Sequence, residues 1–177
     1  MKFDVREIAA IALVAALTIV VGFVFYTAGN LLPVPGNKFL MFGPFLGFMI
    51  AMALWKVPRH GTVLAVNGVF ALIMVNISAF MGLAIALAGI FWELLSLILF
   101  RDLKKKRIRM GAAALYPALS FFFAFLVSHY MTGNVLFLMV GGPLTLGILM
   151  VVIFLLGLAG AFLGERFIVP RLEGITR

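Results

Sequence analysis

The sequence predicts an all-α integral membrane protein, a compact bundle of six transmembrane helices with both termini in the cytoplasm, on three observations. Hydrophobic residues fill 65% of the 177 positions and charged residues only 11%, a balance no water-facing surface sustains. The apolar residues come in runs of about 20, the number a helix needs to cross roughly 30 Å of hydrocarbon at about 1.5 Å per residue. All 14 basic residues except Lys38 fall on one side of a path that crosses an even number of times. Positions 1–177 then form a single transmembrane domain, with no linker, internal repeat or low-complexity segment to divide it.

The first helix runs from about Ile8 to Tyr26. Lys2 and Arg6 ahead of it resemble the start of a signal peptide, but the apolar stretch exceeds the roughly 7–15 residues of a cleaved one, so it reads as a retained helix. Ala28, Gly29 and Asn30 end it, and Pro33, Pro35 and Gly36 block continuation before Lys38. A second span, Phe39 to Trp55, stops at the polar turn from Lys56 to Gly61. From Thr62 to Phe100 the chain is apolar for about twice one crossing, which requires a turn near Asn76, Ser78 and Gly82 between helices three and four. The basic run Arg101 to Arg109 ends helix four, Gly111 to Tyr130 forms helix five, and Met131 to Asn134 turns outward. Gly141, Gly142 and Pro143 mark an irregular entry to a sixth span over Leu144 to Leu163.

This layout separates two chemically different sides. The basic residues of the cytoplasmic side set orientation and meet anionic lipid headgroups rather than nucleic acid, despite the formal charge of +8. The opposite side is built from Ala28 to Lys38, the turn near Asn76, and Met131 to Pro143, which are neutral and rich in Gly, Pro and Asn. There is no cysteine, no HExxH motif, no nucleophile-and-base cluster and no Walker motif, so no enzymatic activity, metal site or cofactor is expected of the chain itself.

Several residues stand out against the apolar background. Ala9, Ala12 and Ala16 follow i, i+3, i+7 spacing and give the first helix one small-residue face for close helix approach, within the bundle or with a partner. In helix four Gly82, Ala86, Gly89, Glu93 and Ser96 form a second stripe, and Glu93 reads as the one acidic residue placed deep in a span. Ionising a carboxyl there costs several kcal/mol unless it is compensated, so a functional role is the default expectation, against a helix-bridging hydrogen bond. Trp92 lies about 100° round the same helix, where it faces lipid or core unless a broad cavity spans both. Ser128, His129 and Tyr130 close helix five, and Asn30, Asn76 and Asn134 mark the three outer loops; together they offer donors and acceptors to a polar small molecule, though each type also suits a turn or an interface. Asn67 reads as an interhelical hydrogen bond, and Gly43, Gly47, Ala51, Gly160 and Gly164 as close-packing positions.

The stretch Arg6-Glu7-Ile8-Ala9-Ala10-Ile11-Ala12-Leu13-Val14-Ala15-Ala16-Leu17 resembles the alanine-motif first helix of the substrate-binding S components of energy-coupling factor (ECF) transporters. Length, helix count and termini agree in outline over the whole chain, while the motif itself covers the first helix only. The resemblance implies that Ala12 and Ala16, assisted by Ala9, dock on a transmembrane coupling subunit joined to a pair of ATPases, where ATP hydrolysis takes place. It implies a vitamin or related micronutrient held toward the extracellular side of a prokaryotic cell membrane, under the first outer loop, with Glu93 and the outer loops serving that capture. The lack of charge in the outer half disfavours a strongly anionic ligand and the aromatic content suits a flat ring, such as a thiamine-precursor pyrimidine or another heterocyclic vitamin. Two rivals remain: a self-sufficient small permease or channel using Glu93 as a proton or cation site, and a membrane enzyme or assembly factor.

Overall fold

The helix limits follow from caps that the sequence carries at each end. In the computed structural model, which describes residues 3–31, 36–100, 102–133 and 142–171, helix α1 spans Val5–Ala28 and starts in a capping box. Asp4 Oδ1 accepts from the Val5 amide at 2.8 Å, and Glu7 Oε2 accepts from the Asp4 amide at 2.9 Å, satisfying donors the first turn leaves open. A 3-10 turn, Gly29–Leu31, follows. Helix α2 covers Asn37–Lys56, α3 Thr62–Val75, α4 Ala79–Leu99, α5 Lys106–Thr132 and α6 Pro143–Leu163, the last continued by a π-helical turn at Gly164–Ile168. Residues 169–171 return to α-helix, and the remaining described residues are turns and coil, without strands.

Five of these helices are long and apolar enough to cross a membrane. The exception is α3, whose 14 residues rise only about 21 Å, short of the roughly 30 Å of a hydrocarbon core. Its end is fixed chemically. Asn76 Nδ2 donates back to the carbonyls of Leu72 at 3.0 Å and Ile73 at 3.4 Å, and Ser78, extended at φ −156°, caps α4 by accepting from the Met81 amide. The expected turn between helices three and four is therefore present at Asn76–Ser78. Gly82 lies inside α4 instead, where it lets α4 approach α3: a β-carbon there would stand 2.2 Å from Val75 Cγ2.

Helix α2 is the hub. It packs against α1, α5 and α6, while α3 packs against α4 and α1, and α5 against α4 and α6. The contact of α2 with α6 is made by glycine: a β-carbon on Gly47 would meet the Gly157 carbonyl oxygen at 2.1 Å, and one on Gly160 the Pro44 carbonyl oxygen at 1.8 Å. Without such residues these backbones could not come so close. Between α5 and its neighbours the same service is done by Ala112, Ala113 and Ala114, all fully buried.

Apolar side chains are turned outward as well as inward. Leu72, Ile98 and Leu144 are each more than 70% exposed, along with Leu13, Val20, Phe23, Leu94, Val151 and Leu155. Water tolerates contiguous apolar surface of this extent poorly, whereas lipid is its natural solvent.

Polar contacts are gathered at one end, where α1, α3 and α5 begin and α2, α4 and α6 finish. Arg59, in the α2–α3 turn, donates to Glu7 at the start of α1. Arg109 of α5 donates to Glu165 just after α6, and Lys106 Nζ reaches the Glu165 carbonyl at 3.4 Å. Glu165 is 2% exposed. Glu93, placed deep in a span, is thus not the only acid that the helices enclose: Glu165, just past the end of α6, is enclosed more completely and is paired with Arg109.

Candidate functional site

The opposite end contains a cavity of about 290 Å³. Consecutive helices run in opposite directions, so its lining comes from the end of α1 (Tyr26), the first half of α2 (Phe39, Phe42, Leu46), the later part of α3 (Phe70), the first half of α4 (Ser78 to Ile85) and the second half of α5 (Tyr116 to Ser128). The walls are mostly aromatic and aliphatic, with hydroxyls from Tyr26, Ser78, Tyr116, Ser120 and Ser128 as the polar points. None of the lining residues carries a charge. A small apolar enclosure with a few convergent polar groups is the usual form of a small-molecule site.

Two of its polar corners are organised. At the depth of α5, Tyr116 is 1% exposed and its hydroxyl donates to Oδ1 of Asn67 on α3, itself buried. Gly89 on α4 makes room for this pair, since a β-carbon there would stand 2.8 Å from Asn67 Cβ. Ser120, one turn further along α5, sits beside the Tyr116 hydroxyl, but its buried Oγ has no properly formed hydrogen bond among the described residues. At the other corner Lys38 Nζ donates to the Tyr26 hydroxyl at 3.1 Å and lies 4.5 Å from the centre of its ring. That cation is held by its tyrosine and is not part of the lining.

The residues singled out from sequence are not brought together. Trp92 is fully buried and donates from Nε1 to the Ala112 carbonyl at 2.8 Å, which fastens α4 to α5. Glu93 lies toward the far end of α4, away from the cavity: its Oε1 accepts from the Gly61 amide at 2.8 Å and stands 3.7 Å from His60 Nδ1, while Oε2 is buried without a hydrogen-bond partner among the described residues. His60 in turn meets Ser96 Oγ at 3.1 Å. Gly61 adopts φ +89°, a conformation that presents its amide to the carboxylate and that few other residues tolerate. Asn76 is exposed and spends its side chain on the carbonyls of its own helix. His129 stacks on Phe125, rings 5° apart, with its other flank toward the edge of Tyr130, which is exposed. Asn30 falls in the turn after α1 at the cavity's end, its side chain outside the described part, and Asn134 lies outside the described residues altogether.

Ala9, Ala12 and Ala16 do share a face, and it is outward: all three are exposed, whereas Ile11, Val14, Ala15 and Thr18 turn toward the other helices. Packing inside the chain does not account for the stripe.

Apart from Ser128, the cavity residues had a signal that the sequence reading passed over. Tyr116, Ser120, Ala124, Val127 and Ser128 recur at i, i+4, i+8, i+11 and i+12, one face of a helix carrying three hydroxyls through an otherwise apolar segment. Serine and tyrosine are inconspicuous in membrane helices, so a lone carboxylate drew the eye instead. Comparison with known proteins adds no name: no family model, curated protein or solved structure matches this chain.

Proposed function

We propose that the chain is the membrane-embedded substrate-binding subunit of an ECF-type uptake transporter, which captures a small heterocyclic micronutrient from outside and depends on a transmembrane coupling subunit and two ATPases for its release inward. The observation that carries this reading is the outward-facing alanine stripe Ala9, Ala12 and Ala16, a surface of small side chains left uncovered by the other helices. The cavity at the neutral end supports it, being concave, apolar and edged with hydroxyls. In this reading the helices form a bundle of six crossings with both termini cytoplasmic, the short α3 spanning a thinner path beside the Asn76–Ser78 turn.

Co-purification tests the partner. The full chain, expressed with a coupling subunit and its ATPases, is expected to form a complex that Ala12→Trp with Ala16→Trp abolishes, uptake falling more than tenfold while ligand binding persists. Uptake unchanged in that variant overturns the assignment.

One observation favours a second reading, a small permease with a proton or cation site. Among the described residues Glu93 keeps a buried Oε2 without a hydrogen-bond partner, with His60 close by. Transport by the purified chain alone in liposomes, lost in Glu93→Gln, would establish it.

A further inference from the structure

The cavity's deep corner restricts what can bind there, an inference that rests on the solute-capture reading and sharpens its ligand. Tyr116 has one hydroxyl proton, and Asn67 Oδ1 takes it, so toward the cavity the tyrosine oxygen offers only lone pairs. Ser120, 7% exposed, stands beside the Tyr116 oxygen, and among the described residues no properly formed hydrogen bond fixes its hydroxyl, so its proton can turn to that oxygen in the empty cavity or to a bound molecule. An acceptor and a donor therefore stand side by side, in surroundings where an unmet polar group is costly. The complementary ligand edge is a donor beside an acceptor, as an N–H beside a carbonyl.

Charge narrows the choice further. No lining residue is ionisable near neutral pH, and Lys38, the one charged residue at this end, is engaged by Tyr26. In the deep corner at Tyr116 and Ser120 an anion would meet no cation, since Lys38 stands at the Tyr26 corner, and its desolvation would count against it there. Size sets the last limit: about 290 Å³ lies at the small end of ligand sites, which run from roughly 300 to 1,000 Å³. The walls offer Phe39, Phe42, Phe70 and Phe80 for stacking.

We propose that the cavity binds an uncharged flat ligand of one or two rings bearing a lactam-type edge, read by Ser120 as donor and Tyr116 as acceptor. Three probes of similar outline separate the parts: quinazolinone carries the edge, naphthalene lacks both its donor and its acceptor, and quinoline carboxylate adds a negative charge. Equilibrium dialysis with the full chain in detergent is expected to give quinazolinone a Kd at least tenfold below that of the carboxylate. Ser120→Ala raises the Kd for quinazolinone by about 3- to 10-fold, the worth of one hydrogen bond, leaves naphthalene unchanged, and keeps the thermal midpoint of the unliganded chain. Equal binding of the carboxylate, an unchanged Kd for quinazolinone in Ser120→Ala, or no saturable binding of any probe by the folded chain overturns the proposal. None of these requires the coupling partner, so the transporter assignment fails separately, on co-purification and uptake.

Discussion

Among the described residues two acidic side chains are enclosed by the helices, and they are compensated differently. Glu165 has Arg109 against it, the carboxylate 1% and the guanidinium 10% exposed, whereas Glu93 has a backbone amide, a histidine at 3.7 Å and one oxygen without a hydrogen-bond partner among those residues. Removing one member of a buried pair strands the other as an uncompensated charge, a loss of about 3–5 kcal/mol, while replacing both with apolar groups is often neutral. Arg109→Met is therefore expected to lower stability in detergent by that amount, and Arg109→Met with Glu165→Leu to recover most of it, as read by denaturant-induced unfolding. The Arg59–Glu7 pair makes the contrast, since its side chains are 44% and 20% exposed and such pairs contribute about 0–1 kcal/mol. Glu7→Gln should scarcely move the same midpoint. Only part of this was legible in the sequence. Glu93 is conspicuous because its neighbours are apolar, but Glu165 is followed by Arg166 and resembles a solvated charge; its real partner is 56 residues away, and no local pattern announces it.

At the scale of the element, glycine positions divide by what faces them. Gly160 lies against the Pro44 carbonyl with no room for a β-carbon, whereas Gly68 on α3 has open space there. Gly160→Ala must push α2 and α6 apart, and overpacking of this kind costs about 1–3 kcal/mol or more. Gly68→Ala relieves a helix interior of its most flexible residue and is expected to stabilise by about 0.5–1 kcal/mol. Thermal unfolding of the two variants beside the parent chain checks both signs at once. Helix existence and limits were readable because apolar run length and the Pro, Gly and charge punctuation agree: the expected sixth span, Leu144 to Leu163, differs by one residue from Pro143–Leu163. The shortness of α3 was harder to see. Thr62 to Phe100 is unbroken in apolarity, and where it divides depends on the hydrogen bonds of Asn76 and Ser78, which leave α3 with 14 residues and α4 with 21. The cavity was legible only as a neutral end, because a void is fixed by the distances between five helices and not by any one of them.

At the scale of the whole molecule, the separation of a basic end from a neutral end makes a prediction about orientation, and α3 is the element on which it turns. Basic residues flanking membrane helices remain preferentially on the cytoplasmic face. If α3 and α4 both cross, the α2–α3 turn at Arg59 and the segment at Lys105 share that face; if α3 fails to cross while α4 does, they lie on opposite faces. The structure's side-chain contacts join these regions at one end, with His60 of the turn against Ser96 near the end of α4. The chain has no cysteine, so single cysteines report without background. Arg59, Lys105 and Tyr130 suit the purpose, the two basic side chains 44% and 71% exposed and Tyr130 76% exposed at the end of α5. With a membrane-impermeant maleimide on intact cells, Tyr130→Cys is expected to label, and Arg59→Cys and Lys105→Cys only after permeabilisation. Labelling of Arg59→Cys alongside Tyr130→Cys would mean that α3 does not cross, and the six-crossing topology would fall with it. Labelling of Lys105→Cys but not Tyr130→Cys would invert the molecule and turn the cavity toward the cytoplasm, where it could not capture a solute from outside.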